Sequence, residues 1–80
     1  MSSKYIDVKD FEDKNKNLKL IEKFGDKPWE ISVYLNPDDD SYYTKGPFSR
    51  WDSICYIKLD DINSEHELRS WIDKMKESNE

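Results

Sequence analysis

An 80-residue chain has room for one domain, and this one carries 18 acidic against 13 basic side chains, a net charge of −5. That balance disfavours nucleic-acid binding, because neutralising a phosphate backbone takes clustered lysine and arginine. A single cysteine excludes an intrachain disulfide. The core must therefore come from an apolar set rich in aromatic rings: three tryptophans, five tyrosines and three phenylalanines.

The segment before the first clear strand is open to two interpretations. Residues 18–24 are rich in apolar side chains and run into a turn at Gly25, which favours a strand that pairs with the following segment. The competing interpretation is a helix over residues 8–24 that ends at Gly25. Asn15 and Asn17 count against that helix, since asparagine is poor in helix interiors. We choose the strand.

We expect the first residues to be peripheral, with residues 1–16 forming either a short edge strand at Tyr5–Val8 or a loose arm. The first seven residues lack the basic stretch and apolar run of a secretory signal. No stretch approaches the roughly 18 apolar residues that span a bilayer. Together with the lone thiol, these features predict a cytoplasmic protein without a membrane segment.

The clearest strand signal lies in residues 29–35. Apolar residues alternate there with polar or amphipathic ones, the period of a strand with one face on a core; the apolar set is Trp29, Ile31, Val33 and Leu35. Asn36-Pro37 followed by aspartates favours a type I turn. We expect residues 41–44 to return as a second strand, closing a hairpin whose tip carries Asp38, Asp39 and Asp40.

A further strand is predicted within residues 51–59, after the break at Lys45-Gly46-Pro47. Alternation places Cys55 on the core side of this strand. Ile54 and Tyr56 point to the other side.

The C-terminal helix is predicted over residues 64–77. Its apolar residues are spaced i, i+3, i+4 and i+7, as in an amphipathic helix: Leu68, Trp71, Ile72 and Met75. Ser64 stands three residues before Glu67, the spacing of a capping box. In that motif the serine oxygen accepts from the Glu67 amide while the Glu67 carboxylate reaches back to the Ser64 amide.

These elements predict a single α+β domain over residues 1–80. It is a small antiparallel β-meander of three to four strands, with one C-terminal amphipathic helix packed on one face. The other face would be bare and would carry Tyr34, Ile54, Tyr56 and either Tyr42 or Tyr43. The alternative is that the N-terminal segment covers this face through one or more of its apolar residues: Tyr5, Ile6, Val8 and Phe11.

The sequence offers little for catalysis or metal binding. Cys55 and His66 form the single obvious nucleophile–base pair, but the strand register points Cys55 into the core and the helix stripe turns His66 toward solvent. A calcium loop starting at Asp38 fails at both defining positions, since Tyr43 replaces the required glycine and Ser49 the bidentate glutamate. We therefore expect no catalytic residue, no metal and no cofactor, and interpret the chain as not being an enzyme.

Aromatic and basic residues interleave between Tyr42 and Trp51, as in proteins that stack single-stranded bases. The neighbouring aspartates, at residues 38–40 and at Asp52, oppose a phosphate backbone. This stretch carries the alternative function, single-stranded nucleic-acid binding.

By elimination, the sequence predicts a non-enzymatic protein-binding module that occludes a partner's surface or self-associates as a homodimer. The predicted binding surface joins the bare sheet face to the acidic tip: Tyr34, Tyr42, Tyr43, Ile54, Tyr56, Asp38, Asp39 and Asp40. Small size and acidity are typical of the inhibitors that phages and mobile elements make against host proteins. That analogy is one of size and composition.

Overall fold

The computed structural model describes residues 5–27, 29–48 and 53–78 of the chain. Within these residues, five strands and two helices follow one another along the sequence. Their bounds are β1 Ile6–Asp7, α1 Val8–Lys14, β2 Lys19–Phe24, β3 Ile31–Asn36, β4 Ser41–Gly46, β5 Cys55–Lys58 and α2 Glu65–Ser78.

The strands form one antiparallel sheet in the order β1-β5-β4-β3-β2. Strands β2 to β5 are a meander, so the predicted α+β class with an antiparallel sheet and a C-terminal helix is confirmed. The predicted count of three to four strands is slightly low, because β1 adds a fifth strand at the edge. It pairs Ile6 with Tyr56 and Asp7 with Cys55.

Helix α1 follows β1 directly and is bounded by polar side chains at both ends. The Asp7 carboxylate accepts from the Asp10 amide at 3.1 Å, which satisfies a free donor of the first turn. The Asn15 side chain donates to the Phe11 carbonyl at 2.9 Å. Its oxygen accepts from Asn36 at 2.7 Å. Asn15 thus ends the helix and joins it to the sheet, so the rejected helix over residues 8–24 exists only as its first two turns.

Strand β2 contains a β-bulge that changes the face of its side chains. Leu20 pairs with Tyr34, but Glu22 pairs with Val33, so Ile21 is the extra residue. Before the bulge, Leu20 faces the α1 side of the sheet, as its partner Tyr34 does. Phe24, after it, faces the α2 side, where it belongs to the core.

Strand β3 confirms the predicted alternation in part. Ile31 and Val33 are buried on the α2 side, while Ser32 and Tyr34 point to the α1 side. The placement of Trp29 on that core face is wrong. A turn in which the Trp29 amide donates to the Asp26 carbonyl at 2.7 Å keeps it outside the strand, and it is 53% exposed.

Helix α2 packs on the sheet as its apolar stripe predicted. Leu68 and Ile72 are fully buried against the sheet side chains of the first core: Phe24, Ile31 and Val33. Trp71 and Met75 pack at the margin of this core. The helix starts after Ser64, whose hydroxyl oxygen accepts from the Glu67 amide at 3.2 Å. The Glu67 carboxylate accepts from the same hydroxyl at 3.4 Å, whereas the capping box predicted that it would accept from the Ser64 amide.

A salt-bridge group fastens α2 to the bulged strand. The carboxylate of Glu22, which the bulge turns toward α2, lies 3.6 Å from the Arg69 guanidinium and also contacts Lys76. These partners lower the pKa of the Glu22 carboxyl, through the Lys76 hydrogen bond first. Across the described ranges, no helix has both the length and the apolar character needed to cross a membrane.

Candidate functional site

The tyrosines that were predicted to lie on a bare face are mostly covered. Tyr34, Tyr43 and Tyr56 do share one side of the sheet, but helix α1 packs over them through Phe11. The Phe11 ring lies 4.6 Å from the Tyr43 ring and 4.5 Å from the Tyr56 ring. Tyr43 is 7% and Tyr56 1% exposed. The expectation of a bare face is therefore wrong, and the alternative of N-terminal cover applies, because α1 contributes an aromatic side chain of matching size.

Tyr42 and Tyr43 alternate across the sheet, so they belong to different cores. Tyr42 packs against the α2 core. Phe48 packs on the same side, and its ring lies against Gly46, where an added Cβ would come within 3.0 Å of it. The aromatic residues that would have stacked bases are thus packed inside the described structure; Trp51 lies outside the described residues.

A hydrogen-bonded group holds the tyrosine side in place. The Tyr56 hydroxyl donates to Glu12 of α1 at 2.8 Å, and the Lys45 ammonium donates to the same carboxylate oxygen at 3.1 Å. These two donors lower the pKa of the Glu12 carboxyl. Burial first, and the Glu12 carboxylate second, raise the pKa of the Tyr56 hydroxyl. The network therefore favours an ionised glutamate beneath a neutral phenol.

All three aspartates of the acidic tip are exposed, and Asp39 also makes structural hydrogen bonds. Asp39 accepts from the Ser41 amide at 3.0 Å and from the Tyr43 hydroxyl at 3.1 Å. Burial together with this bond raises the pKa of Tyr43 to about 12. Asp38 and Asp40 are exposed, and Asp40 has a positive φ of 55°. Within the part of the chain that the structure describes, no group of three or more potential ligands is placed to hold a metal ion.

Cys55 and His66 lie as their registers predicted. Cys55 is buried in β5, and His66 is exposed on α2. A thiol inside the core has no path to an external substrate, and a general base must reach the proton it removes. The structure does not bring these two side chains together as a catalytic pair.

An open groove lies beside helix α1, on the part of the tyrosine side that the short helix leaves uncovered. It has a volume of about 460 Å³. We call it the lysine groove; its lining residues are Lys23, Lys27, Glu30, Ser32, Tyr34, Lys45, Gly46 and Ile54. The groove contains two predicted binding residues, Tyr34 and Ile54, and leaves out the acidic tip.

The groove is built on one row of residues across three strands. Ser32 of β3 pairs with Lys23 of β2 on one side and with Lys45 of β4 on the other. Directly opposed residues point to the same face of a sheet, so two lysines stand on either side of a short serine. Beyond this row, Ile54 is 47% exposed at the start of β5, and Tyr34 is half-buried.

Acidic neighbours hold two of the three lysines. The Lys23 ammonium lies 3.3 Å from the Glu30 carboxylate, and that of Lys45 lies 3.1 Å from the Glu12 carboxylate. Lys27, in the β2–β3 connection, is exposed. With Glu12 counted beside the lining residues, three lysines stand against two glutamates, an excess of one positive charge in a chain whose net charge is −5.

Sequence reasoning missed the lysines of the groove. Lys45 was read as part of a strand break, although β4 runs on to Gly46. Counting outward from a hairpin in which Asn36 faces Ser41 places Lys45 opposite Ser32, so the signal was present. Lys23 could not be placed in this way, because the bulge changes the pairing of β2.

Comparison of the chain with models of protein families, with curated protein sequences and with solved structures finds no match. Its function must therefore be inferred from its own residues and their geometry. In the described structure, the lysine groove is the concave surface that combines an exposed aliphatic residue, a tyrosine and a local excess of cations.

Proposed function

We propose that this chain is a non-enzymatic protein-binding module that occludes a surface of a partner protein through the lysine groove. The supporting observation is Ile54, which is 47% exposed in a groove next to half-buried Tyr34. An exposed aliphatic anchor with a polar rim is the usual anatomy of a protein interface. Inhibition of the partner is the effect that such occlusion would have.

The scaffold supports this proposal, since the groove is built on three paired strands of the sheet. Strands β2, β3 and β4 each contribute to the lining, and both sheet faces carry a helix. A surface built on regular elements loses little conformational freedom on binding, so more of its contact energy appears as affinity. Self-association as a homodimer through the same surface is the second form of this proposal.

The alternative proposal, single-stranded nucleic-acid binding through residues 42–51, has weaker support. Base stacking needs exposed rings, whereas Tyr42 and Phe48 pack against the α2 core and Tyr43 lies beneath α1. The net charge of −5 also opposes a polyanion.

A photo-cross-linking residue at position 54 tests the proposed function. In extract of the source cells, irradiation should capture one protein species. An excess of unmodified chain, added before irradiation, should prevent this capture, and an excess of Ile54→Asp should not. Burying a charge in an apolar contact should weaken binding by about 2 kcal/mol or more. If the homodimer form holds, the captured species is a second copy of the chain.

Position 20 provides the matched control for this experiment. Leu20 is 55% exposed, as an aliphatic residue of the same sheet, but does not line the groove. A cross-linker there should capture far less of the same species, and Leu20→Asp should compete as well as the unmodified chain. Equal capture from positions 20 and 54, or full competition by Ile54→Asp, would remove the groove from the interface.

A further inference from the structure

We infer that the lysine groove binds an acidic segment of the partner, with a carboxylate seated over Ser32 between Lys23 and Lys45. An apolar side chain two positions along that segment packs against Tyr34 and Ile54. This inference rests on the proposed function and names the chemistry of the partner. Its occupant is a short, extended stretch of protein in which an acidic and an apolar side chain stand two positions apart, so that both point into the groove.

The spacing of the row creates the carboxylate seat. Neighbouring strands lie about 4.8 Å apart, so the backbones that carry Lys23 and Lys45 are about 10 Å apart. Between them stands Ser32, whose side chain is short and carries a hydroxyl. Two long cationic side chains around one short hydroxyl leave a recess that fits a carboxylate and offers it both charge and a hydrogen bond.

The two lysines of the row each make a salt bridge and still have hydrogen-bond donors for a ligand. Glu30 and Glu12 each contact one ammonium, at 3.3 Å and 3.1 Å, which restricts where the two cations lie. An ammonium has three donors, so each lysine keeps donors for a ligand. Lys27 extends the positive rim on the side of the β2–β3 connection. With Glu12 and Glu30 counted against the three lysines, the groove keeps an excess of one positive charge on an acidic molecule.

An acidic peptide suits this site better than a nucleic acid. A phosphate backbone presents a charge at every nucleotide, and Glu30 in the wall together with the net charge of −5 would repel it over its length. A segment with one or two carboxylates meets mainly the lysine row. Its alternate side chains fall on the apolar part of the groove, where Ile54 and Tyr34 offer contact area.

The test measures binding of labelled probes to the intact chain by fluorescence anisotropy. The probes are an octapeptide that repeats Glu-Ser-Leu-Ser, which puts glutamate and leucine on one face of the extended chain, an octapeptide that repeats Lys-Ser-Leu-Ser, and an oligothymidylate of equal length. The acidic peptide should bind, and added salt should weaken it. Equal binding of the basic peptide, or tighter binding of the oligothymidylate, would overturn the inference.

Two charge reversals on the same strand locate the site. Lys23→Glu should lower affinity for the acidic peptide by about tenfold or more, because it replaces an attractive contact by a repulsive one. Lys19→Glu changes the net charge equally at the other end of β2, outside the groove, and should change affinity by less than about twofold. Equal losses of affinity in Lys23→Glu and Lys19→Glu would show that only the net charge matters. That result would overturn the proposed carboxylate site between Lys23 and Lys45. Lys27→Glu gives a second reversal within the groove, and circular dichroism confirms that each variant is folded.

The outcomes separate this inference from the function on which it rests. Capture through position 54 without binding of the acidic peptide would overturn the partner's chemistry and leave the protein-binding module in place. Binding of the acidic peptide that Lys23→Glu abolishes and Lys19→Glu preserves supports both.

Discussion

Glu12 links the N-terminal helix to the sheet through a single carboxylate oxygen. That oxygen accepts from the Tyr56 hydroxyl and from the Lys45 ammonium, which come from two neighbouring strands. The Lys45 ammonium also lies 5.5 Å from the centroid of the Tyr56 ring, within the range of a cation–π contact. One acidic residue on α1 thus positions a cation of the lysine groove and satisfies a phenol that is otherwise buried.

Replacing Glu12 by glutamine should make the free energy of unfolding less dependent on pH in the acid range. The Tyr56 hydroxyl and the Lys45 ammonium hold the pKa of Glu12 below its usual value of 4.5. A depressed pKa in the folded state contributes stability above the unfolded pKa, and this contribution is lost as the pH falls through the folded pKa. The free energy of unfolding of the wild-type chain should therefore fall more steeply than that of Glu12→Gln between about pH 5 and about pH 3.

Urea titrations across this pH range measure the difference. Asp13→Asn, on the same helix and exposed, is the control and should keep the wild-type slope. Parallel curves for the wild type and Glu12→Gln would mean that the carboxylate does not favour its ionised form in the folded protein.

At the scale of elements, two helices of unequal length cover the two faces of the sheet. Helix α2 has 14 residues and buries an apolar stripe, while α1 has 7 residues and a single buried side chain, Phe11. An isolated helix as short as α1 is not stable in water, so its docking must stabilise it. The short length of α1 is also what leaves the lysine groove uncovered.

Phe11→Ala should therefore destabilise the protein as strongly as a core substitution. Removing a buried phenylalanine ring leaves a cavity above Tyr43 and Tyr56 and should cost about 3 kcal/mol or more of unfolding free energy. Leu20→Ala, at an exposed position, should cost about 0.5 kcal/mol or less. Urea denaturation followed by tryptophan fluorescence distinguishes the two. A small effect of Phe11→Ala would show that α1 does not hold the tyrosine side closed.

At the scale of the whole molecule, charge is separated along the β3–β4 hairpin. The acidic tip, formed by Asp38, Asp39 and Asp40, lies at one end of the hairpin. The row of Lys23, Ser32 and Lys45 lies at the other end. Four residues of extended strand separate Asn36, at the base of the tip, from Ser32, or about 13 Å. That distance exceeds the screening length of about 8 Å at physiological ionic strength, so the two ends act independently there.

Neutralising the tip should therefore change groove binding only at low salt. In the double variant Asp38→Asn with Asp40→Asn, affinity for the acidic peptide should stay within about twofold at physiological salt and should rise several-fold at about 0.01 M, where the screening length is about 30 Å. Asp39 is kept, since it accepts from Ser41 and Tyr43. Anisotropy titrations at the two salt concentrations measure this. An equal effect at both would indicate direct contact between tip and peptide.

The groove residues that could be predicted from the sequence are those that a local pattern places. Tyr34 and Ile54 were predicted from strand alternation alone, and both line the groove. Tyr56 was assigned to the correct side of the sheet, the choice between Tyr42 and Tyr43 was left open, and cover by the N-terminal segment was the alternative that was not chosen. The lysines were not predicted, because their meeting depends on strand registers and on one bulge rather than on any local pattern.

What the sequence determined by itself was local. Helix α2 follows from a cap and a stripe within 14 residues, and β3 from alternation within six, because each signal lies inside the element it specifies. Tertiary structure alone decided which part of the sheet stayed uncovered. It depends on the pairing of Ile6 with Tyr56, 50 positions apart along the chain, and on the packing of Phe11 that follows. Such contacts form between segments with no sequence pattern in common, so only the folded chain shows that α1 covers Tyr43 and Tyr56 and leaves the lysine groove open.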